Sequence, residues 1–191
     1  FKMALETIQL LKPDFVIASR FMTGGSVVDL FYEHQKTNPN RLKSGFFVIT
    51  EENSLSEVAH SLNYEMDGLI SFPFTGASVI SAIMASVKHK VEPTTYLLKL
   101  NLGREQYFNN QIDFAESFFE EALKLDDHPF EALYYSGLLH YKRGDIDKAI
   151  DKLEDAYFHN PNHFKTIHDL SFYYYEKHRY KDAYELSVAL V

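Results

Sequence analysis

Residues 130–163 read FEALYYSGLLHYKRGDIDKAIDKLEDAYFHNPNH, a pattern that predicts two short helices separated by a break. The first helix is predicted from Pro129 to Lys142, because proline is tolerated in a first turn, where its missing N–H loses no partner. Gly144 interrupts the helical pattern, and a second helix is predicted from there to about Phe158. The stretch is therefore expected to fold as a pair of packed helices.

Small residues recur every 34 positions through the second half of the chain. Gly137 lies within the first helix of the quoted stretch, where glycine costs about 1 kcal/mol relative to alanine. That cost is tolerable if a partner helix must approach closely, and Ala149 supplies the matching small face. A generic helical bundle does not require small residues to recur in register, so a repeat is favoured. The recurring sets are Gly103, Gly137 and Ser171; Ala115, Ala149 and Ala183; Ala122 and Ala156; and Asp127 and Pro161 at the closing turn.

A 34-residue period made of two helices resembles the tetratricopeptide repeat (TPR) family. The resemblance predicts an all-α helical-repeat array over residues 94–191, with repeats at 96–129, 130–163 and 164–191. Arrays of this kind are binding surfaces and carry no chemistry of their own. The third repeat is expected to be incomplete, because Leu186–Val191 has an apolar face with no polar capping helix behind it. The native protein is therefore expected to continue beyond Val191, or to be covered there by another copy.

In TPR proteins the first helix of each pair lines a concave groove, so the resemblance implies a partner-binding groove here. Aromatic and arginine side chains are frequent hot spots of protein interfaces. The alternative, left open for each residue, is packing in the core between repeats. The lysine and asparagine set with which some family members clamp a peptide carboxylate is absent, which favours an apolar or amphipathic partner segment. The positions that correspond to the family's ligand-facing ones are Leu100, Arg104, Tyr107, Phe108, Tyr134, Leu138, Tyr141, Lys142, His168, Phe172 and Tyr175.

The first half of the chain follows a different pattern. Short apolar runs at Phe15–Ala18, Phe46–Ile49 and Leu69–Ser71 alternate with helical stretches, which predicts a parallel α/β sheet. Ser54 and Glu57 form a capping box ahead of an amphipathic segment, so a helix is predicted to begin at Ser54. The expected order is helix, strand, helix, strand, helix, strand, helix.

Residues 1–90 resemble part of a response-regulator receiver domain. The segment 13–24 (PDFVIASRFMTG) is similar to its third strand and following loop, 46–50 (FFVIT) to its fourth strand, and 67–74 (DGLISFPF) to its fifth strand and turn. The resemblance implies a receiver-like (flavodoxin-like) parallel sheet whose first strand, first helix and second strand would precede Phe1. It also implies a cis peptide bond between Phe72 and Pro73, as in the family.

The resemblance fails at the residues that carry receiver chemistry. The family takes phosphate on an aspartate that ends its third strand, where this chain has Ser19; the lysine that contacts the phosphoryl group is replaced by Phe72. The hydroxyl after the fourth strand is kept as Thr50. A serine hydroxyl needs a base before it can attack, and loss of the lysine removes the charge that would stabilise phosphate. These degenerate phosphoacceptor-pocket positions predict a pseudo-receiver without phosphorylation.

Other polar residues offer no stronger site. The carboxylates of Asp14, Asp29 and Asp67 are predicted to be solvated, since none is expected at the carboxyl end of a strand. His159 and His163 flank a predicted turn and share no helical face, so neither a metal nor another cofactor is predicted.

Composition excludes several classes of protein. No apolar run of the sequence approaches the roughly 20 residues needed to cross a bilayer. The chain has no cysteine, which excludes disulfides and is compatible with a cytoplasmic location. Residues 1–91 carry 8 basic and 9 acidic side chains, and residues 92–191 carry 11 and 18. An acidic array without a basic stripe argues against a nucleic-acid partner, and indicates either solubility alone or a basic partner segment.

The main hypothesis is a non-enzymatic scaffold of bacterial signal transduction in the cytoplasm. The TPR groove would bind a protein or peptide segment, basic or amphipathic, and the pseudo-receiver would offer a second docking or homodimer face through Ser54–Leu62 and Gly76–Val87. The alternative is a two-component response regulator whose receiver responds to phosphorylation or a ligand and controls the TPR array. An enzyme is a third hypothesis, for which the sequence shows no nucleophile–base pair.

Overall fold

The chain folds into two compact units, Phe1–Thr94 and Thr95–Val191. A computed structural model describes residues 1–51 and 66–188. Each unit has its own hydrophobic core within these ranges: one core is built around Phe31 and Phe46, and the other around Phe119 and Leu153.

The first unit contains a small parallel sheet with strand order β1-β2-β3. The three predicted strand runs are confirmed, each extended by one or two residues. The helix predicted to begin at Ser54 lies outside the described residues. In chain order the described elements are α1 (Lys2–Leu11), β1 (Phe15–Ser19), α2 (Val27–Thr37), β2 (Gly45–Thr50), β3 (Gly68–Ser71) and α3 (Gly76–Val91).

Strand β2 pairs with a neighbour on each side and forms the centre of this unit. Its Phe46, Phe47 and Val48 are fully buried, as expected of a parallel strand covered on both faces. The Phe46 ring packs edge-on against Phe31 of α2, with ring centroids 5.3 Å apart. A near-continuous apolar sequence therefore suits this strand better than an alternating one.

Helix caps define where α2 and α3 begin. Ser26 accepts a hydrogen bond from the backbone N–H of Val28, and its own N–H donates to the carboxylate of Asp29. Thr75 and Ser78 form the corresponding reciprocal pair at the start of α3. Both starts thus follow from short polar side chains that satisfy amides left free in the first turn. The peptide bond between Phe72 and Pro73, between β3 and α3, is cis, as the receiver resemblance implied.

The second unit is a series of three helical hairpins, which confirms the predicted two-helix repeat. The helix predicted from Pro129 begins one residue later, with Pro129 as its N-cap. Within residues 1–51 and 66–188, every helix is too short or too polar to span a membrane. The helices of the second unit are α4 (Thr95–Phe108), α5 (Ile112–Leu123), α6 (Phe130–Lys142), α7 (Ile146–His159), α8 (Phe164–Glu176) and α9 (Tyr180–Val188).

The recurring small residues lie where the two helices of each hairpin touch. A Cβ atom added at Gly103 would lie 2.5 Å from the Phe119 ring, and one added at Gly137 would lie 2.9 Å from the Leu153 side chain. In the third hairpin the serine at the same position, Ser171, donates a hydrogen bond to the carbonyl oxygen of Ala183 at 3.3 Å. The 34-residue recurrence of small side chains therefore records the same close helix contact three times.

Candidate functional site

Successive hairpins stack by placing the first helix of one repeat into the hollow between the two helices of the repeat before it. On the first repeat, Tyr135 of α6 stacks on Phe119, with ring centroids 5.6 Å apart and an interplanar angle of 18°. The guanidinium of Arg104 lies 4.9 Å from the centroid of the same Tyr135 ring. This hollow is therefore filled by α6.

The hollow of the second repeat is filled by α8 in the same way. Tyr173 stacks on Tyr141, with ring centroids 4.3 Å apart and an interplanar angle of 10°. The hydroxyl of Tyr134 donates to the carboxylate of Asp169 at 2.8 Å. Tyr174, also from α8, donates its hydroxyl to Glu154 at 2.7 Å.

The hollow of the third repeat is open. It forms a cavity of about 550 Å³ between α8 and α9 and is lined mainly by aromatic rings. Phe172 is 46% exposed, Tyr175 62% and Tyr184 69%. Exposed aromatic rings that converge on one cavity are a recognised mark of a binding surface, whereas isolated exposed apolar residues are normal. The lining residues are His168, Ser171, Phe172, Tyr175, Tyr180, Ala183, Tyr184 and Ser187.

The predicted groove residues separate into buried, half-buried and exposed positions. Leu100, Arg104 and Tyr134 are buried, so they lie in the core between repeats, which was the alternative for each predicted position. Lys142 and His168 are exposed, as are Phe172 and Tyr175 in the open hollow. The remaining predicted residues are half-buried at the edge of contacts between repeats: Tyr107, Phe108, Leu138 and Tyr141.

Polar groups connect the half-buried rings. The ammonium of Lys142 lies 4.0 Å from the centroid of the Tyr107 ring and donates to the Tyr107 carbonyl oxygen at 3.3 Å. Burial lowers the pKa of Lys142, and burial together with the Asp169 charge raises the pKa of Tyr107 to about 12. At the exposed edge, a hydrogen bond from His168 to the Asp169 carboxylate, 2.9 Å long, raises the pKa of His168.

Two tyrosines of the open hollow were missed by the sequence analysis, which considered only first helices. Tyr180 and Tyr184 belong to α9, the second helix of their repeat. They stand 34 residues after Ile146 and Ile150, so the period itself contained the signal that these positions face the hollow.

In the first unit the strands bring the three degenerate pocket positions to one edge of the sheet. Ser19 ends β1 opposite Ile49, Thr50 ends β2, and the backbone N–H of Phe72 donates to the Thr50 carbonyl oxygen at 2.8 Å. Thr50 is buried, Ser19 is exposed, and Phe72 is 59% exposed. The Ser19 hydroxyl donates to the carbonyl oxygen of Phe21 at 3.2 Å.

The prediction that Asp67 is solvated is wrong. Its side chain is 8% exposed and forms an ion pair with Lys90, 2.5 Å away, and a longer one with Arg41, 3.7 Å away. The Asp67 carboxylate also accepts the backbone N–H of Phe46 at 2.8 Å. The ammonium of Lys90 donates in addition to the carbonyl oxygens of Arg41 and Ser44. Asp67 thus joins α3 to β2 and the loop before it, and its charge is matched within the unit.

Asp14 and Asp29 are exposed, as predicted. Nδ1 of His128 lies 3.3 Å from Nδ1 of His159. Across residues 1–51 and 66–188, no group of three or more His, Cys, Asp or Glu side chains is arranged to hold a metal ion.

Comparison with known families agrees with the repeat geometry. A model of the tetratricopeptide repeat family matches residues 130–163, the stretch that forms α6 and α7. This second repeat is thus similar to a TPR unit. A comparison with curated proteins finds no match.

Proposed function

We propose that this protein is a non-enzymatic interaction scaffold whose TPR-like array binds a segment of a partner protein. The single observation that carries the proposal is the cluster of exposed aromatic rings, Phe172, Tyr175 and Tyr184, that line the hollow of the third repeat. TPR units are protein-binding elements as a class, and the match at residues 130–163 supports the same role here.

The partner segment is amphipathic. Its apolar side chains would contact Phe172, Tyr175 and Tyr184, and its polar side chains would reach His168 and Asp169. The acidic balance of residues 92–191, with 11 basic and 18 acidic side chains, would attract basic residues elsewhere on the partner.

The first unit is proposed to be a pseudo-receiver that serves as a second docking face in bacterial signal transduction. Three parallel strands in the order β1-β2-β3, with Ser19, Thr50 and Phe72 at their carboxyl ends, support this proposal. Ile80 and Met84 of α3 are 63% and 61% exposed, which supports docking or homodimer formation through that helix. A protein of this kind would act in the cytoplasm.

A capture experiment tests the interaction function. The tagged chain and its Phe172→Ala/Tyr175→Ala variant are incubated with lysate of the source organism, and bound proteins are compared. A Phe158→Ala variant is the control, because Phe158 is 83% exposed on α7 and does not line the hollow. A partner retained by the control and lost by the double variant is the expected result. Identical binding by all three proteins would contradict the assignment to this hollow.

A mass measurement tests the pseudo-receiver. The chain is treated with acetyl phosphate, a small phosphodonor, and its intact mass is recorded. No adduct is expected, since Ser19 stands where the family has an aspartate and Phe72 where it has a lysine. A phosphate adduct on Ser19 would overturn the proposal and favour a phosphorylation-responsive regulator.

A further inference from the structure

Two histidines that are distant in the sequence meet at the surface of the second unit. His128 belongs to the turn between α5 and α6, and His159 is the last residue of α7. Their Nδ1 atoms lie 3.3 Å apart. We propose that His128 and His159 form a binding site for a zinc ion, which links the start of the second helix pair, α6 and α7, to its end. The proposal does not depend on the interaction function of the array.

The distance between the two nitrogens is the distance between zinc ligands. Histidine nitrogens bind Zn²⁺ at about 2.0–2.1 Å in a tetrahedral arrangement, which places two of them about 3.3–3.4 Å apart. The observed 3.3 Å agrees with this value. It also exceeds the range of about 2.7–3.2 Å for most hydrogen bonds that protein N–H groups donate. The distance therefore fits a shared metal ion better than a shared proton.

Both rings can offer an unprotonated Nδ1 at the same time. A neutral imidazole carries one proton, and a proton on Nε2 leaves Nδ1 as an acceptor. When both rings take this form, two lone pairs converge with no proton between them, and a cation bound there removes the repulsion. The rings meet at an interplanar angle of 69°, with centroids 5.5 Å apart. Neutral imidazole is the commonest metal ligand in proteins and binds through either nitrogen.

Local structure holds both histidines in place. The backbone N–H of His128 donates to the carboxylate of Asp126 at 2.8 Å, and the His128 carbonyl oxygen accepts the N–H of Phe130 at 2.8 Å. His159 lies in the last turn of α7, and its ring contacts the Phe158 ring, with centroids 5.6 Å apart. A pair that is already positioned loses less conformational freedom when it binds an ion.

Carboxylates stand close to the pair and favour a cation. Asp126 and Asp127 directly precede His128, and Asp155 comes one helical turn before His159, on the same side of α7. All three carboxylates are exposed. In the described part of the chain, no third His, Asp or Glu completes a set of three ligands, so water would fill the remaining positions around the ion.

Zinc binding would stabilise the folded second unit. His128 and His159 are 31 residues apart in the sequence, so the unfolded chain does not hold them together. An ion that binds the folded state in preference to the unfolded state raises the temperature of unfolding. The site would thus make the stability of the array depend on the zinc concentration.

Isothermal titration calorimetry with Zn²⁺ tests the site on the full 191-residue chain, after treatment with a chelator and removal of the chelator. His128→Gln and His159→Gln each remove one ligand. His178→Gln is the matched control, because His178 is also exposed and lies outside the pair. Each ligand variant is expected to lose at least about tenfold in zinc affinity, since even the loss of an outer partner of a ligand costs about 10–100-fold. The control should bind zinc as the wild type does.

Nuclear magnetic resonance identifies the ligand atoms in the wild type. Long-range proton–nitrogen spectra distinguish Nδ1 from Nε2 in each ring. Zinc is expected to shift Nδ1 of His128 and His159 and to leave the ring protons on Nε2. This measurement needs no substitution, so it decides the question even if a variant fails to fold. Circular dichroism shows whether each variant is folded.

Three results would overturn the proposal. The first is a wild-type chain that does not bind zinc, and the second is equal zinc affinity in the wild type, His128→Gln and His159→Gln. The third is a loss of affinity in His178→Gln as large as in the two ligand variants, which would place the ion elsewhere. Thermal unfolding supplies a further check: zinc should raise the unfolding temperature of the wild type and leave that of His128→Gln/His159→Gln unchanged.

Discussion

Gly137 shows at the scale of one residue how closely the helices of a hairpin pack. A Cβ atom at this position would lie 2.9 Å from Cγ and Cδ2 of Leu153 and 3.2 Å from the carbonyl oxygen of Ala149. Leu153 is fully buried, so it has little room to move aside. Gly137→Ala is expected to lower the free energy of unfolding by about 1–2 kcal/mol, because overpacking outweighs the better helix propensity of alanine.

Gly76→Ala is the matched control, since a Cβ atom there meets nothing within 4 Å. Urea unfolding followed by circular dichroism measures both variants. Equal stability of Gly137→Ala and the wild type would mean that the two helices can separate without cost.

Asp67 has a role that its sequence position does not reveal. Its carboxylate is paired with Lys90 and Arg41 and is 8% exposed. Asp67→Asn removes the negative charge beside the Lys90 ammonium, whose side chain is only 11% exposed, and is expected to cost about 3 kcal/mol. Asp14→Asn, which removes an exposed carboxylate just before β1, should have almost no effect. If urea unfolding shows the same loss of unfolding free energy for both variants, a structural role for the Asp67 ion pair is contradicted.

His34 is expected to make the stability of the first unit depend on pH. Burial lowers its pKa, an effect that Lys90 increases and that Asp67 and hydrogen bonding to the backbone of Pro13 oppose. A histidine in an unfolded chain has a pKa of about 6.5. Just below that pH the unfolded chain takes up a proton while folded His34 stays neutral. The free energy of unfolding should therefore fall as pH drops below about 6.5, by at most about 1.4 kcal/mol per pH unit, and level off below the folded pKa.

His34→Gln isolates this contribution, since glutamine can also donate to the Pro13 carbonyl oxygen. Hydrogen exchange of the amides of β2, measured at pH 7.5 and 5.5 and corrected for intrinsic rates, should show a smaller pH-dependent loss of protection in the variant. An identical loss in both proteins would assign the pH dependence to other groups.

At the scale of the element, α2 depends on its first turn. Ser26 and Asp29 satisfy two backbone amides there, at 3.1 and 3.2 Å. Ser26→Ala removes the accepting oxygen and should cost about 1 kcal/mol. Ser81→Ala, at an exposed position within α3, should not destabilise the protein, because alanine is the better helix former. Thermal unfolding that ranks these two variants in the opposite order would show that the cap does not stabilise α2.

At the scale of the whole molecule, net charge governs solubility. The chain carries a formal charge of −8 at pH 7 and has a sequence pI of about 5.6. Turbidity measured between pH 4 and 8 should be greatest near pH 5.6, because self-repulsion disappears there and exposed rings such as Phe158 and Tyr184 can associate. A solubility minimum above pH 7 would indicate that charge is not the controlling factor.

Local patterns in the sequence were enough to predict the repeat and the strands. Gly103, Gly137 and Ser171 recur because the same helix contact is built three times, and such a contact leaves a fixed interval in the sequence. The apolar run of β2 likewise predicts its structure from local sequence, since a parallel strand covered on both faces is apolar along its length. These features depend on neighbours close in sequence or on exact repetition.

The remaining features depend on contacts between residues that are far apart in the sequence. Asp67 reads as an ordinary carboxylate until β3 and α3 bring Lys90 beside it, 23 residues further along the chain. Tyr141 and Tyr175 stand at the same position of their repeats, yet Tyr141 is half-buried against Tyr173 while Tyr175 is 62% exposed. The period of the sequence determined which positions face a neighbouring helix; only the tertiary structure showed how deeply each position is buried, because burial depends on the side chains that pack against it and not on the period itself.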